Sequence, residues 1–92
     1  MKEQVAARRL LISGRVQGVG FRWFAEDCAR RIGVTGWVRN LDDGRVEAYV
    51  VGTPSQLDHF AARLHKGPPQ SEVRGVELIE AVVQQLDSFL TK

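Results

Sequence analysis

Phe21, Ala25, Cys28 and Ile32 recur at steps of four, three and four residues, which is one apolar face of an α-helix. On the other side, Glu26 with Arg30 and Asp27 with Arg31 form favourable i,i+4 pairs. Gly33 stands where a C-terminal glycine cap belongs. Before this helix, Arg8 to Ser13 reads as a short strand ending at Gly14, and a glycine-rich stretch runs from Gly14 to Gly20. After it, Val34 to Asn40 is rich in β-formers, Asp42-Asp43-Gly44 makes a hairpin turn, and Arg45 to Val51 places Val46, Ala48 and Val50 on one strand face. A second helix starts sharply, with Thr53 as N-cap, Pro54 in the first helical position and Gln56 completing a capping box. Its apolar face is Leu57, Phe60, Ala61 and Leu64, and Gly67-Pro68-Pro69 stops it. A fourth strand is expected from about Glu72 to Glu80. In residues 82–92, Leu86, Phe89 and Leu90 fit either a last strand or a helical turn.

The predicted order is β-α-β-β-α-β. It specifies an α+β fold, the ferredoxin-like α/β sandwich, with two helices packed on one face of a four-stranded antiparallel sheet. At 92 residues there is room for one core, so a single domain over 1–92 is expected. No apolar run approaches the roughly 18 residues that span a bilayer. Met1 to Arg9 carries no apolar segment of the kind that directs export. The lone Cys28 falls on the apolar helix face and reads as a buried structural thiol, so a reducing cytoplasm is the expected location. Thirteen basic against eleven acidic residues give only +2, and no run of like charge is long enough to bind a polyanion.

Chemistry therefore has to be sought by position. Gly14-Arg15-Val16-Gln17-Gly18-Val19-Gly20-Phe21-Arg22 is a glycine-rich loop leaving a strand and entering a helix. A helix start leaves N–H groups unpaired and carries partial positive charge. Gly18 and Gly20 keep side chains away from those amides, and Arg22 adds a planar fork suited to phosphate oxygens. The pattern describes an anion cradle, and equally a plain strand–helix connection. It is not a Walker loop, since Phe21 and Arg22 stand where Lys and Ser or Thr are needed, nor a dinucleotide fingerprint, whose third glycine is here Trp23. A cysteine phosphatase would want Arg six residues after Cys28, and that residue is Val34. His59 and His65, six apart on one helix, cannot share a metal. Asn40 ends a strand beside a hairpin, where Asn usually bonds its own backbone, and Trp37 reads as core packing.

The loop Gly14–Arg22 and the segment Gly36-Trp37-Val38-Arg39-Asn40, followed by Gly44, Val46 and Gly52, resemble the two signatures of the acylphosphatases. Gly67-Pro68-Pro69 with Ser71 and Val73 is also family-like, and the resemblance runs from about Arg8 to Phe89. It implies hydrolysis of acyl phosphates to a carboxylate and inorganic phosphate, without metal or cofactor. It places the phosphate cradle on the backbone N–H groups of Gln17, Gly18, Val19, Gly20, Phe21 and Arg22, makes Arg22 the phosphate-binding arginine, and makes Asn40 the group that orients the attacking water. With no His, Asp or Glu in either signature core, the substrate phosphate is the expected proton acceptor. The expected partner is a small acyl phosphate, with no nucleic acid and no membrane, acting on a monomer. RNA recognition on this fold needs several aromatics in the third strand, and Arg45 to Val51 has only Tyr49. A phosphate sensor without turnover, or a domain of a larger carbamoyl-transferring protein, are the other readings of the same loop.

Overall fold

The computed structural model describes residues 4–92. Residues 1–3, the start of the segment read above for an export signal, lie outside the described residues. The elements in chain order are β1 (Ala6–Arg15), α1 (Phe21–Ile32), β2 (Thr35–Asn40), β3 (Val46–Gly52), α2 (Pro54–Lys66), β4 (Glu72–Ala81) and β5 (Phe89–Thr91). The capping box forms: Thr53 Oγ1 accepts from the Gln56 N–H at 3.2 Å, and Gln56 Oε1 accepts from the Thr53 N–H at 2.9 Å. Gly33 ends α1 in the left-handed conformation, its N–H reaching the Ala29 carbonyl at 2.8 Å. Both helices bury the faces that periodicity picks out. Phe21, Ala25 and Cys28 from α1 meet Leu57, Phe60 and Leu64 from α2 in one core above the sheet.

The strand order is β4-β1-β3-β2-β5. The β1–β3, β1–β4 and β2–β3 pairs are antiparallel, as the β-α-β-β-α-β order requires. The sheet as a whole is nevertheless mixed and five-stranded, which corrects the four-stranded antiparallel expectation. β5 runs parallel to β2, with Gly36 opposite Phe89 and Val38 opposite Thr91. The reason lies in residues 82–88. They carry the chain from β4 at one edge, over the face turned away from the helices, to β5 at the other edge. Phe89 then drops into the core, only 2% exposed, with its ring 5.7 Å from that of Phe60.

That crossing changes the far face of the sheet. Tyr49 donates its hydroxyl to the Val82 carbonyl at 2.5 Å and accepts from the Gln84 N–H at 2.8 Å. Central β3 is consequently buried on both sides: Val46, Ala48 and Val50 against the helices, Glu47, Tyr49 and Val51 on the other face. Trp37, expected in the core, stands instead half-buried on this far face. It stacks on Tyr49 at 5.8 Å, with the Arg39 guanidinium and the Lys92 ammonium 5.2 and 4.5 Å from its ring. No helix among the described residues is long and apolar enough to cross a membrane.

Glu47 is the one buried charge among the described residues, and two arginines hold it. Arg9 of β1 reaches Oε2 through Nε at 3.0 Å and also through Nη2; Arg39 of β2 donates to Oε1 at 2.6 Å. Burial pushes the Glu47 carboxyl up, but the hydrogen bonds and charges of Arg9 and Arg39 outweigh it and hold the group below the ordinary carboxylate value. A lowered folded-state pKa contributes stability above the unfolded value of about 4.3, and that stability is lost as pH falls through the folded value. Urea midpoints are thus expected to fall from pH 7 to pH 3, with a shallower dependence in Glu47→Gln. The arginines keep water access (side chains 42% and 49% exposed), so Glu47→Gln should cost about 1–2 kcal/mol at pH 7 rather than the 3–5 of a fully buried pair. An unchanged pH slope in the variant would remove Glu47 from this role.

Candidate active site

Residues 16–20 connect β1 to α1 and build a concave run of amides. Gly18 and Gly20 lie at φ +73° and +80°, whereas every non-glycine residue described has negative φ, so the hand of the backbone alternates along the loop. Alternation turns successive N–H groups toward one point. A Cβ at either glycine would meet no protein atom within 4 Å, so their bareness serves the conformation and the open space above the loop rather than close packing. No side chain caps α1, and its first turn holds no acidic residue. The backbone N–H groups of residues 17–22 donate to no acceptor among the described residues. No protein group neutralises the partial positive charge of this helix start among the described residues.

Side chains fix this loop in place. Val16 is buried in the core and Val19 packs against it. Gln17 turns the other way: its Nε2 donates to the Leu41 carbonyl at 2.7 Å and to the Arg45 carbonyl at 2.9 Å. Those two carbonyls flank the β2–β3 turn, so one amide group fastens the loop to the hairpin. Asn40 ends β2 at that junction, paired with Val46 in the ladder. Its side chain is not the turn-forming group that sequence position suggested. Asp43 takes that part, accepting from the Arg45 N–H at 3.1 Å and from Arg45 Nε at 2.8 Å. The Arg45 N–H bond above all holds the Asp43 carboxyl below its ordinary value.

A cavity of about 440 Å³ opens where these parts meet, lined by Val16, Gly18, Gly20, Phe21, Arg22, Trp23, Glu26, Asn40 and Thr91. Of the residues singled out in the sequence, Gly18, Gly20, Phe21, Arg22 and Asn40 share it. Gln17 and Val19 do not line it. A family model for acylphosphatases matches residues 8–90. The acylphosphatase of Solibacter usitatus is 55% identical over 83 residues, which cover 90% of this chain and 86% of that protein. That of Archaeoglobus fulgidus is 47% identical over 83 residues, 90% of this chain and 93% of that protein. The chain belongs to the acylphosphatase family. The solved structure of an acylphosphatase from Coxiella burnetii superposes with a TM-score of 0.92 at 34% identity, covering 96% of this chain and 93% of that one.

Within this cavity, three residues were not foreseen: Trp23, Glu26 and Thr91. Glu26 could have been found, since it follows Arg22 by four residues on the same helix face. One Glu26 oxygen accepts the Thr91 hydroxyl at 2.9 Å, and the other lies 3.4 Å from Arg30. Thr91 had no local signal, because only the parallel docking of β5 brings it there. Arg22 is held by the same tail, donating from Nη1 to the Lys92 main-chain oxygen at 2.8 Å. A larger groove of about 590 Å³ between α1 and α2 is lined by Arg31, Arg63 and His59 among others. It is the weaker candidate on chemistry: Arg31 is paired with Asp27 at 3.0 Å, and Arg63 lies over the Phe24 ring. Among the described residues, no three of His, Cys, Asp and Glu gather closely enough to hold a metal ion.

The two Gln17 bonds yield a test of the loop anchor. Gln17→Ala should destabilise the fold by about 1–3 kcal/mol by removing both loop-to-hairpin hydrogen bonds, while the Leu41 and Arg45 carbonyls keep their bonds from the Gly44 and Leu41 N–H groups. Gln17→Glu, though equal in shape, should cost more, because it aims a carboxylate at both. Urea unfolding at pH 7 checks the order, and a Glu variant as stable as wild type would contradict it.

Proposed function

We propose that this chain hydrolyses acyl phosphates to a carboxylate and inorganic phosphate, with the amides of residues 17–22 and the Arg22 guanidinium binding the phosphoryl group and the Asn40 side chain orienting water. The observation that carries the reading is the meeting of Gly18, Gly20, Arg22 and Asn40, from two separate sequence segments, in one cavity at an uncapped helix start. Family membership supports the same reaction.

The chemistry is within reach of so few groups. The leaving carboxylate has a conjugate acid with pKa near 4, so it departs without a general acid. Phosphoryl transfer is mostly positioning and charge stabilisation, and the negative charge spread over the phosphoryl oxygens is what N–H groups and a guanidinium stabilise. Asn40 does not titrate near neutrality and so does not take the water's proton. Its amide oxygen can accept a hydrogen bond from water and leave an oxygen lone pair aimed at phosphorus. The proton then passes to a phosphate oxygen of the substrate. Glu26 is the one carboxylate lining the cavity, and both its oxygens already face partners.

Further parts of the proposal are metal and cofactor independence, a monomeric state and a cytoplasmic location; the single buried thiol Cys28 fits a reducing compartment. RNA binding finds no support: Tyr49, the aromatic of β3, is 4% exposed and covered by the crossing tail.

Benzoyl phosphate hydrolysis in EDTA is the deciding assay. Activity should persist there, and Arg22→Ala should lower it roughly 10³-fold, with weaker phosphate affinity. Asn40→Ala should lose kcat while phosphate still binds; intact kcat with weak binding would overturn the water-orienting role. With the substrate as proton acceptor, kcat should be nearly flat from pH 5 to 7. A limb abolished by Glu26→Gln would assign the proton to Glu26 instead. Size-exclusion chromatography should give one monomer peak.

A further inference from the structure

The phosphoryl end of the substrate occupies only part of the cavity. Its charge belongs with the open amides and Arg22, and in-line attack puts the acyl group away from the water at Asn40. The wall that remains is Trp23, Glu26 and Thr91, with the buried Val16 behind them. Trp23 sits in the first turn of α1, next to Arg22, and is 70% exposed. A single exposed apolar side chain is ordinary. This one lines the reaction cavity, and no ring or cation among the described residues stacks on it. Glu26 lies one helical turn further on, its side chain 22% exposed, fixed by the Thr91 hydroxyl and by Arg30.

We propose that Trp23 and Glu26 form an acyl-group subsite that selects flat, apolar, uncharged acyl phosphates. The indole face offers a platform for an aromatic or planar acyl group. The Glu26 carboxylate repels any acyl group that carries its own negative charge, a selectivity built from repulsion as much as from contact. The subsite rests on the acyl phosphate reading above. It adds which substrates the same site prefers, a choice that the amide cradle cannot make because the phosphoryl group is common to all of them.

The test compares kcat/KM for benzoyl, acetyl and succinyl phosphate, since the succinyl group carries a free carboxylate. In Trp23→Ala the benzoyl-to-acetyl ratio should fall roughly three- to tenfold, the range of one aromatic stacking contact, and Trp23→Phe should recover most of it. The change should lie mainly in KM. In Glu26→Gln, which keeps an oxygen for Thr91, the succinyl-to-acetyl ratio should rise severalfold. Equal losses on benzoyl and acetyl phosphate would remove Trp23 from the subsite, and an unmoved succinyl ratio would remove Glu26. If the unaltered protein hydrolyses all three and neither ratio moves, the subsite falls and the reaction stands. If it hydrolyses none, the reaction itself is wrong and the subsite with it.

Discussion

The site depends on one side chain that does not line it. Gln17 Nε2 bridges the carbonyls of Leu41 and Arg45, and so ties the amide loop to the end of the hairpin that carries Asn40. Loop and hairpin come from different parts of the chain. Without a direct link, each would move with its own strand, and the distance from cradle to Asn40 would be loosely held. Phosphoryl transfer by positioning is sensitive to that distance, because the water must lie in line with the bond that breaks. A neutral amide suits the task. It donates two hydrogen bonds to two carbonyls while adding no charge beside the proposed phosphate cradle.

The hairpin end is itself held from below the sheet. Arg39, next to Asn40, pairs with Glu47, which Arg9 also grips from β1. Three adjacent strands are thereby locked through one buried carboxylate. Trp37 stacks on Tyr49 two residues earlier on the same strand, and Lys92 lies over its ring. The final residues then cross to the side of the candidate site, where the Lys92 main-chain oxygen meets Arg22 and Thr91 meets Glu26. The C-terminal strand thus contributes to the cavity wall as well as to the core, where Phe89 fills space beside Phe60.

The few groups at the candidate site shape the chemistry proposed for this chain. A helix start without a cap, one arginine and one side-chain amide provide charge stabilisation and orientation but no acid–base pair. That equipment suits a substrate whose leaving group is already a good one. The net charge of +2 carries little information about this, since the positive potential that matters is local, at the amides and Arg22.

Most of the fold was legible along the chain, because its causes are local. Helix faces follow from a 3.6-residue period, caps from Thr53, Pro54, Gln56 and Gly33, and hairpin turns from Asp and Gly. The glycine loop and Arg22 were legible for the same reason: nest and helix start are built from consecutive residues. Tertiary structure alone decided three things. It put β5 parallel to β2, since the path of residues 82–88 over the sheet is set by long-range contacts with Tyr49 rather than by their own pattern. It moved Trp37 to the far face, because alternation tells which residues share a face and not which face the helices cover. And it brought Glu26, Trp23 and Thr91 round the cradle with Asn40, a convergence of α1, β2 and β5 that no spacing within one segment encodes.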